Sequence, residues 1–114
     1  VGEGHGFVIH NVFHAGDGNL HPLILYDDRD SEERTRAIKA GMAILEVCAT
    51  LGGTISGEHG IGLEKIMGMH LVFQPSDINT MEKVKGVFDP AGLCNPGKIL
   101  PTATIEVKPR LAHA

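Results

Sequence analysis

The segment GFVIHNVFHAGDGNLHPLILY, residues 6–26, governs the fold expected for this chain. Its first part, 6–14, is apolar and contains β-branched residues with polar residues between them, which favours a strand. Residues 15–19 are Ala-Gly-Asp-Gly-Asn, and their Gly, Asp and Asn tolerate the left-handed backbone angles of a tight turn. A second strand is predicted from Leu20 to Tyr26. The segment therefore predicts a β-hairpin, with strands that meet at a glycine-containing turn.

A helix is predicted after the hairpin. Asp30 can cap its free amides, and Glu33 stands three residues further on, as in a capping box. Apolar residues at helical spacing predict its buried face: Ile38, Met42, Leu45 and Ala49. Gly52-Gly53 is a typical stop signal.

A second helix is predicted further along the chain, with Ser76 or Asp77 as its cap. Its predicted buried side comprises Ile78, Met81, Val84 and Phe88. Residues 89–92, Asp-Pro-Ala-Gly, end it. Between the helices, residues 54–62 begin like a short strand but contain too much glycine for a regular element, so a tight loop is expected. The elements together predict an α+β fold, with an antiparallel sheet that carries helices on one face.

Length and composition restrict the class of protein. A chain of 114 residues with 42% hydrophobic and 21% charged residues is typical of one modest globular domain. We expect this domain to cover 1–100, with an extended tail over 101–114. The net charge of −4, with Lys and Arg scattered singly, argues against a nucleic-acid partner. The sequence has no apolar run of about 18 residues and no signal peptide, so we expect a cytoplasmic protein.

Two histidines flank the predicted turn. If the chain reverses between His14 and His21, the two become cross-strand neighbours with Cβ atoms about 5 Å apart. Neutral imidazole is a common ligand of divalent metals, so the pair could share one ion. The alternative is that both histidines merely pack or face water, since the chain contains 7 of them.

The sequence Gly57-Glu58-His59-Gly60 adds a carboxylate and a further imidazole in a glycine-lined turn. Two His and one Glu form a familiar catalytic metal site with open coordination positions. His59 would then be available for proton transfer. Adjacent side chains of an ideal strand face opposite sides, but glycines on both sides relax that restriction. A solvated turn with no catalytic role is the other interpretation.

Three longer motifs contain these residues: HAGDGNLHP at 14–22, GGTISGEHGIGLEK at 52–65 and FDPAGLCNPGKIL at 88–100. In this order they resemble the C-terminal domain of the FAD-linked oxidases related to vanillyl-alcohol oxidase. Within that family the chain is most similar to the glycolate oxidase catalytic subunit and to the D-lactate and D-2-hydroxyglutarate dehydrogenases. The resemblance implies part of a ferredoxin-like cap domain.

The resemblance also implies roles for individual residues. His14, His21 and Glu58 match positions that bind a divalent ion, often zinc, which orients a 2-hydroxy acid. His59 matches the residue that takes the hydroxyl proton as hydride passes from substrate C2 to FAD. Asn19 and Asn95 match positions near the flavin and substrate, and Lys98 matches a lysine of the third motif.

The same resemblance implies partners. Members of the family carry an N-terminal FAD-binding domain, which these 114 residues do not contain. We therefore expect that the chain alone neither retains FAD through gel filtration nor turns over a 2-hydroxy acid such as glycolate or D-lactate. A truncated sheet would expose edges and apolar surface, which favours self-association or contact with other oxidase subunits. Such subunits could place the protein at a membrane periphery.

Two other functions use the same residues. A metal-dependent hydrolase would use Glu58 or His59 to activate water and would need no flavin. A non-enzymatic module would bind metal through the histidines only for its structure.

Overall fold

The computed structural model of the protein describes residues 1–101. The chain forms two compact units, one over Val1–Leu51 and the other from Gly52 onward. The predicted tail over 101–114 lies outside the described residues except for Pro101, which is buried.

The first unit contains two helices and a hairpin. Its elements in chain order are α1 (Gly2–His5), β1 (Ile9–His14), β2 (Asn19–Ile24) and α2 (Ser31–Thr50). The strands are antiparallel, and α1 contacts α2. The predicted α+β fold with an antiparallel hairpin is confirmed, whereas the short helix α1 was not predicted.

The hairpin turn has the chemistry that its sequence indicates. The Asp17 N–H donates to the His14 carbonyl at 3.0 Å, and Gly18 has a φ of 67°, which glycine adopts without steric cost. The second strand ends at Ile24 rather than at Tyr26. Ile24 pairs with Ile9, where β1 begins, so the ladder stops there.

The core of the first unit lies between one face of the hairpin and α2. Phe7, Ala37 and Ala40 form its buried cluster, and Ile9 and Ile24 pack against it. The register places Ile9 opposite Ile24, so both point to the same face of the sheet. The helix therefore packs against the end of the hairpin where Ile9 and Ile24 pair, whereas Phe13 and Leu20 on the same face are exposed.

The buried face of α2 differs from the predicted one. Ile38 is 60% exposed, whereas Ala37 is buried and Ala40 is completely inaccessible. The other three predicted core residues are only partly buried: Met42, Leu45 and Ala49. Ala37 and Ala40 cluster with Phe7, so the core of this unit uses the alanines instead of the larger apolar residues of the helix.

The cap of α2 is confirmed for one of its two residues. The Asp30 carboxylate accepts from the N–H groups of Glu32 and Glu33 at 2.9 and 3.1 Å. The Glu33 carboxylate accepts instead from the Asp27 N–H at 3.3 Å, so the reciprocal bond of a capping box is not formed. The helix ends at Thr50, and Gly52 follows with a φ of 81°, as the stop signal indicates.

The second unit contains a 3-10 helix over Ile66–Leu71, which was not predicted, and the helix α3 over Pro75–Phe88. Residues 52–65 form the expected loop, and its strand-like start is not a strand. Ile55, Met69 and Ile78 are buried in this unit. Residues 89–92 end α3 as predicted.

The start and the face of α3 require two corrections. Pro75 is its first residue, and the Asp77 carboxylate accepts from the Gln74 N–H at 2.8 Å, so the helix begins before the predicted caps. Ile78 is buried and Met81 partly buried, but Val84 is exposed and Phe88 is 83% exposed. The apolar spacing predicted the helix correctly, but it predicted a larger buried face than the structure shows.

Apolar side chains are exposed on both units, as expected for part of a larger domain. In the hairpin they are Val12, Phe13, Leu20 and Leu23, and on α3 they are Val84, Val87 and Phe88. Within residues 1–101, helices that combine the length and the apolar character needed to cross a membrane are absent.

Candidate functional site

The hairpin brings His14 and His21 together. Their ring centroids are 5.4 Å apart, and the ring planes meet at 83°. His14 lies opposite Asn19, and His21 lies opposite Val12. The histidines are therefore diagonal cross-strand neighbours on one face of the hairpin.

The spacing of the two rings fits a shared metal ion. Zinc binds imidazole nitrogen at about 2.0–2.1 Å with tetrahedral angles, which places two ring centres about 5 Å apart. The observed 5.4 Å agrees with this geometry. His14 is exposed and His21 is partly buried, so solvent or a ligand can reach the pair.

Asn19 is the first residue of β2 and lies directly opposite His14. Directly opposed residues of an antiparallel pair share a face, so Asn19 lies on the same face of the hairpin as both histidines. It is partly buried. The structure therefore places one of the two predicted flavin-side asparagines next to the histidine pair.

Glu58 and His59 contact each other in the loop 52–65. The His59 Nε2 lies 2.9 Å from the Glu58 Oε1, with the two side chains 67% and 47% exposed. A regular strand would point these neighbours to opposite sides, but the glycine-rich loop does not. A carboxylate next to one ring nitrogen orients the imidazole and selects its tautomer.

Two contacts shape this loop locally. Ile55 is buried and anchors the start of the motif. The Ser56 hydroxyl accepts from the Gly60 N–H at 2.7 Å, which closes a turn around Glu58 and His59. Gly60 has a φ of 78°, a conformation that is costly for other residues. Sequence reasoning missed the role of Ser56, although its position four residues before a glycine is compatible with such a turn.

The third motif lies beside the loop of Glu58 and His59. The Ile99 N–H donates to the Gly62 carbonyl at 2.9 Å, which joins the two loops. Asn95 has a positive φ of 47°, which is uncommon for a residue other than glycine. The Lys98 ammonium donates to the Pro96 carbonyl at 3.0 Å and so folds back onto its own loop.

Asp89 organises the start of this motif, although the sequence indicated only a helix stop there. Its side chain is 7% exposed and forms an ion pair with Lys85. It also accepts from the N–H groups of Leu93 at 2.8 Å and Cys94 at 3.0 Å. The Lys85 hydrogen bond is the main reason that the pKa of Asp89 falls from 3.8 to about 2; burial opposes the shift, and the two N–H groups add to it.

This lowered pKa predicts a specific acid sensitivity. Because the folded pKa lies below the unfolded value of 3.8, the stabilisation is complete above about pH 4 and is lost as pH falls towards 2. Asp89→Asn should therefore lower the melting temperature of the chain at pH 7. The difference in melting temperature between the variant and the unmodified chain should become smaller below pH 4. Melting temperatures of both proteins between about pH 2 and 7 measure this.

The control for this prediction is Asp28→Asn, since Asp28 is exposed and its ion pair with Arg34 is long, at 3.6 Å. Exposed pairs of this kind contribute little to stability, so the melting temperature should change little at any pH. A gap for Asp89→Asn that stays constant down to pH 2 would contradict the assigned ionisation.

Comparison with known proteins agrees with the arrangement of these motifs. Residues 2–99 match the family model for FAD linked oxidases, C-terminal domain. The match contains both histidines of the hairpin, the Glu58-His59 loop and nearly all of the third motif. The chain belongs to the C-terminal domain family of the FAD-linked oxidases.

The chain is also similar in sequence to individual members of this family. The chain is 58% identical over 92 residues to the glycolate oxidase subunit GlcD of Escherichia coli, which covers 81% of this chain and 18% of that protein. It is 42% identical over 94 residues to a D-lactate dehydrogenase of Anaerostipes hadrus, covering 82% and 20%. It is 39% identical over 88 residues to the D-2-hydroxyglutarate dehydrogenase of Stutzerimonas stutzeri, covering 75% and 19%. The chain thus spans about a fifth of the length of these relatives.

Proposed function

We propose that the chain is part of a flavin-dependent oxidoreductase that converts a 2-hydroxy acid of the glycolate or D-lactate type to the 2-oxo acid. The observation that carries the proposal is the 5.4 Å His14–His21 pair beside Asn19, within a chain of the FAD-linked oxidase family. The names of three relatives support the substrate class, because glycolate, D-lactate and D-2-hydroxyglutarate are all 2-hydroxy acids.

In this proposal, His14, His21 and Glu58 hold a divalent ion such as zinc. Two imidazoles and one carboxylate are a donor set that leaves coordination positions open for a substrate. The spacing of the two rings supports the histidine part of the set. When bound, the ion would supply Lewis acidity that makes the substrate hydroxyl easier to deprotonate.

His59 is the proposed base for the hydroxyl proton. If its Nε2–H is donated to the Glu58 Oε1 across the observed 2.9 Å, the lone pair of the neutral ring is at Nδ1. Nδ1 would then accept the proton, and the Glu58 carboxylate would stabilise the imidazolium that results. The Ser56–Gly60 turn holds both residues in place during this transfer.

FAD supplies the two-electron acceptor, and we propose that a domain outside these 114 residues binds most of it. Asn19 and Asn95 are the residues of this chain assigned to the flavin and substrate side. The position of Asn19 next to the histidine pair supports its assignment. Since the chain spans only 18% of the Escherichia coli relative, an N-terminal FAD-binding domain is the proposed partner.

The proposal is tested by anaerobic flavin reduction in the full-length flavoprotein that contains this chain. Glycolate, D-lactate and D-2-hydroxyglutarate are mixed separately with the oxidised protein, and the loss of flavin absorbance is followed. At least one should bleach the flavin rapidly. L-Lactate serves as the control for stereochemistry. Failure of all three acids to reduce the flavin would overturn the proposal and would favour the hydrolase or the non-enzymatic module.

A further inference from the structure

Asn95 combines a positive φ with a position before proline, which is unfavourable although asparagine tolerates positive φ better than most residues. Its φ is 47°, and the next residue is Pro96. A residue before proline is normally restricted to extended conformations, so Asn95 departs from this preference as well as from the usual negative φ. Such strain persists only where the surroundings impose it, and it is concentrated at functional sites.

The residue before Asn95 is bound through both of its backbone polar groups. The Cys94 N–H donates to Asp89 Oδ2 at 3.0 Å, and the Cys94 carbonyl accepts from the Lys85 ammonium at 3.2 Å. That carbonyl belongs to the peptide bond that joins Cys94 to Asn95. The two charged side chains therefore restrain the peptide plane that precedes the strained residue.

The two side chains that restrain Cys94 also bind each other. Lys85 and Asp89 form an ion pair four residues apart at the end of α3. The Asp89 side chain is only 7% exposed, so water competes poorly for its hydrogen bonds. Asp89 also binds the Leu93 N–H at 2.8 Å, which restrains the approach to Cys94.

The loop is anchored on the other side of Asn95 as well. The Ile99 N–H donates to the Gly62 carbonyl at 2.9 Å, close to the loop of Glu58 and His59. Asn95 thus lies between two anchored points, one on α3 and one on the loop that carries the proposed base. A residue between two such anchors has little freedom to relax its backbone.

We propose that Lys85 and Asp89 are positioning residues, which hold the Cys94–Asn95 peptide and thereby place Asn95 for the flavin-dependent reaction. This inference rests on the role given to Asn95 under the proposed function. Neither charged residue is required to touch substrate or flavin. Their effect on the reaction passes through the backbone of Cys94 and Asn95.

The first experiment measures Lys85→Met in the full-length flavoprotein. Loss of the ammonium should lower kcat by about ten- to a hundredfold, since small misplacements of a positioned group can cost that much. The KM and the flavin content should change less than about twofold, because binding groups remain. Lys85→Arg keeps donors on the side chain and should restore most of the activity. Lys83→Met, on an exposed part of α3, is the matched control and should leave kcat unchanged.

The second experiment separates positioning from stability by a double-mutant cycle with Asn95→Gly. Glycine adopts positive φ without strain but lacks the amide, so Asn95→Gly alone should lower kcat. Lys85→Met should then cause no further loss, because the group it positions is gone. Equal fold-losses of kcat from Lys85→Met in both backgrounds would show a merely structural role and overturn the inference.

Asp89→Asn is also combined with Asn95→Gly in a double-mutant cycle. If Lys85→Met does not fold, this second cycle tests whether the ion pair positions Asn95. The two hypotheses fail differently. If Asn95→Gly leaves kcat unchanged, the proposed role of Asn95 is wrong. If Asn95→Gly lowers kcat but neither Lys85→Met nor Asp89→Asn does, the role of Asn95 stands and the positioning inference alone is overturned.

Discussion

Replacement of His59 by Asn is expected to reduce the rate of flavin reduction by about 10²–10⁴-fold, the usual contribution of a general base. The His59 ring lies 2.9 Å from Glu58, which orients it, and the loop around both residues is closed by Ser56. Asparagine retains a side-chain donor towards Glu58 but cannot take a proton near neutral pH. Stopped-flow absorbance of the full-length flavoprotein with its preferred 2-hydroxy acid measures the rate.

The metal content should distinguish loss of the base from loss of a ligand. In the proposed assignment, His59→Asn leaves the ligands His14, His21 and Glu58 in place, so bound zinc should remain. His5→Asn, in the short helix α1, is a histidine control and should reduce flavin at the normal rate. Equal rates for His59→Asn and the unmodified protein would refute the role of His59 as base.

Replacement of His21 by Ala is expected to weaken zinc binding by more than about a hundredfold, because even residues behind the ligands change metal affinity by 10- to 100-fold. The 5.4 Å spacing of the His14 and His21 rings matches two ligands of one ion, so His14→Ala should have a similar effect. Competition with a chromophoric chelator measures the affinity, and activity should fall in parallel.

His10 provides a matched control for the metal prediction. It lies four residues before His14 on the same strand and on the same face of the hairpin, opposite Leu23. It is exposed and is outside the proposed ligand set. His10→Ala should therefore leave zinc affinity unchanged. If His10→Ala weakened zinc binding as much as His21→Ala, zinc would not be bound specifically by the proposed ligand set, and the assignment would be wrong.

The hairpin was predictable from local sequence because its signals are local. Alternating polar and apolar residues specify the strands, and the Gly18 position supplies the positive φ that the turn needs. The cap of α2 at Asp30 is local in the same way. Each of these features depends on atoms within a few residues of one another, so residue types and spacing contain most of the information.

The helix faces were less predictable because burial depends on what packs against a helix. The spacing of Ile38 with three later residues marks an apolar stripe, yet the core cluster contains Ala37 and Ala40 together with Phe7. Val84 and Phe88 likewise follow the period of α3 but are exposed. In a chain that spans about a fifth of its relatives, an apolar stripe need not be covered by the chain itself.

For the candidate site, residue types were predictable and their geometry was not. The motifs identified the histidine pair and the adjacent Glu58 and His59 from their spacing and chemistry. The diagonal relation of His14 and His21 depends on strand register, which pairs His14 with Asn19. The restraint on Asn95 by Lys85 and Asp89 was missed, because ten residues separate Lys85 from Asn95 and no local motif marks their association.

By itself, the sequence determined the family, the hairpin with its turn, the helices and the identities of the candidate ligands and base. These properties follow from residue types at short spacing, where backbone preferences and side-chain chemistry dominate. Only the tertiary structure decided the diagonal contact of the two histidines, the face of α2 that is buried and the strained conformation of Asn95. Each of these requires groups from separate elements to meet, so register and packing select the geometry.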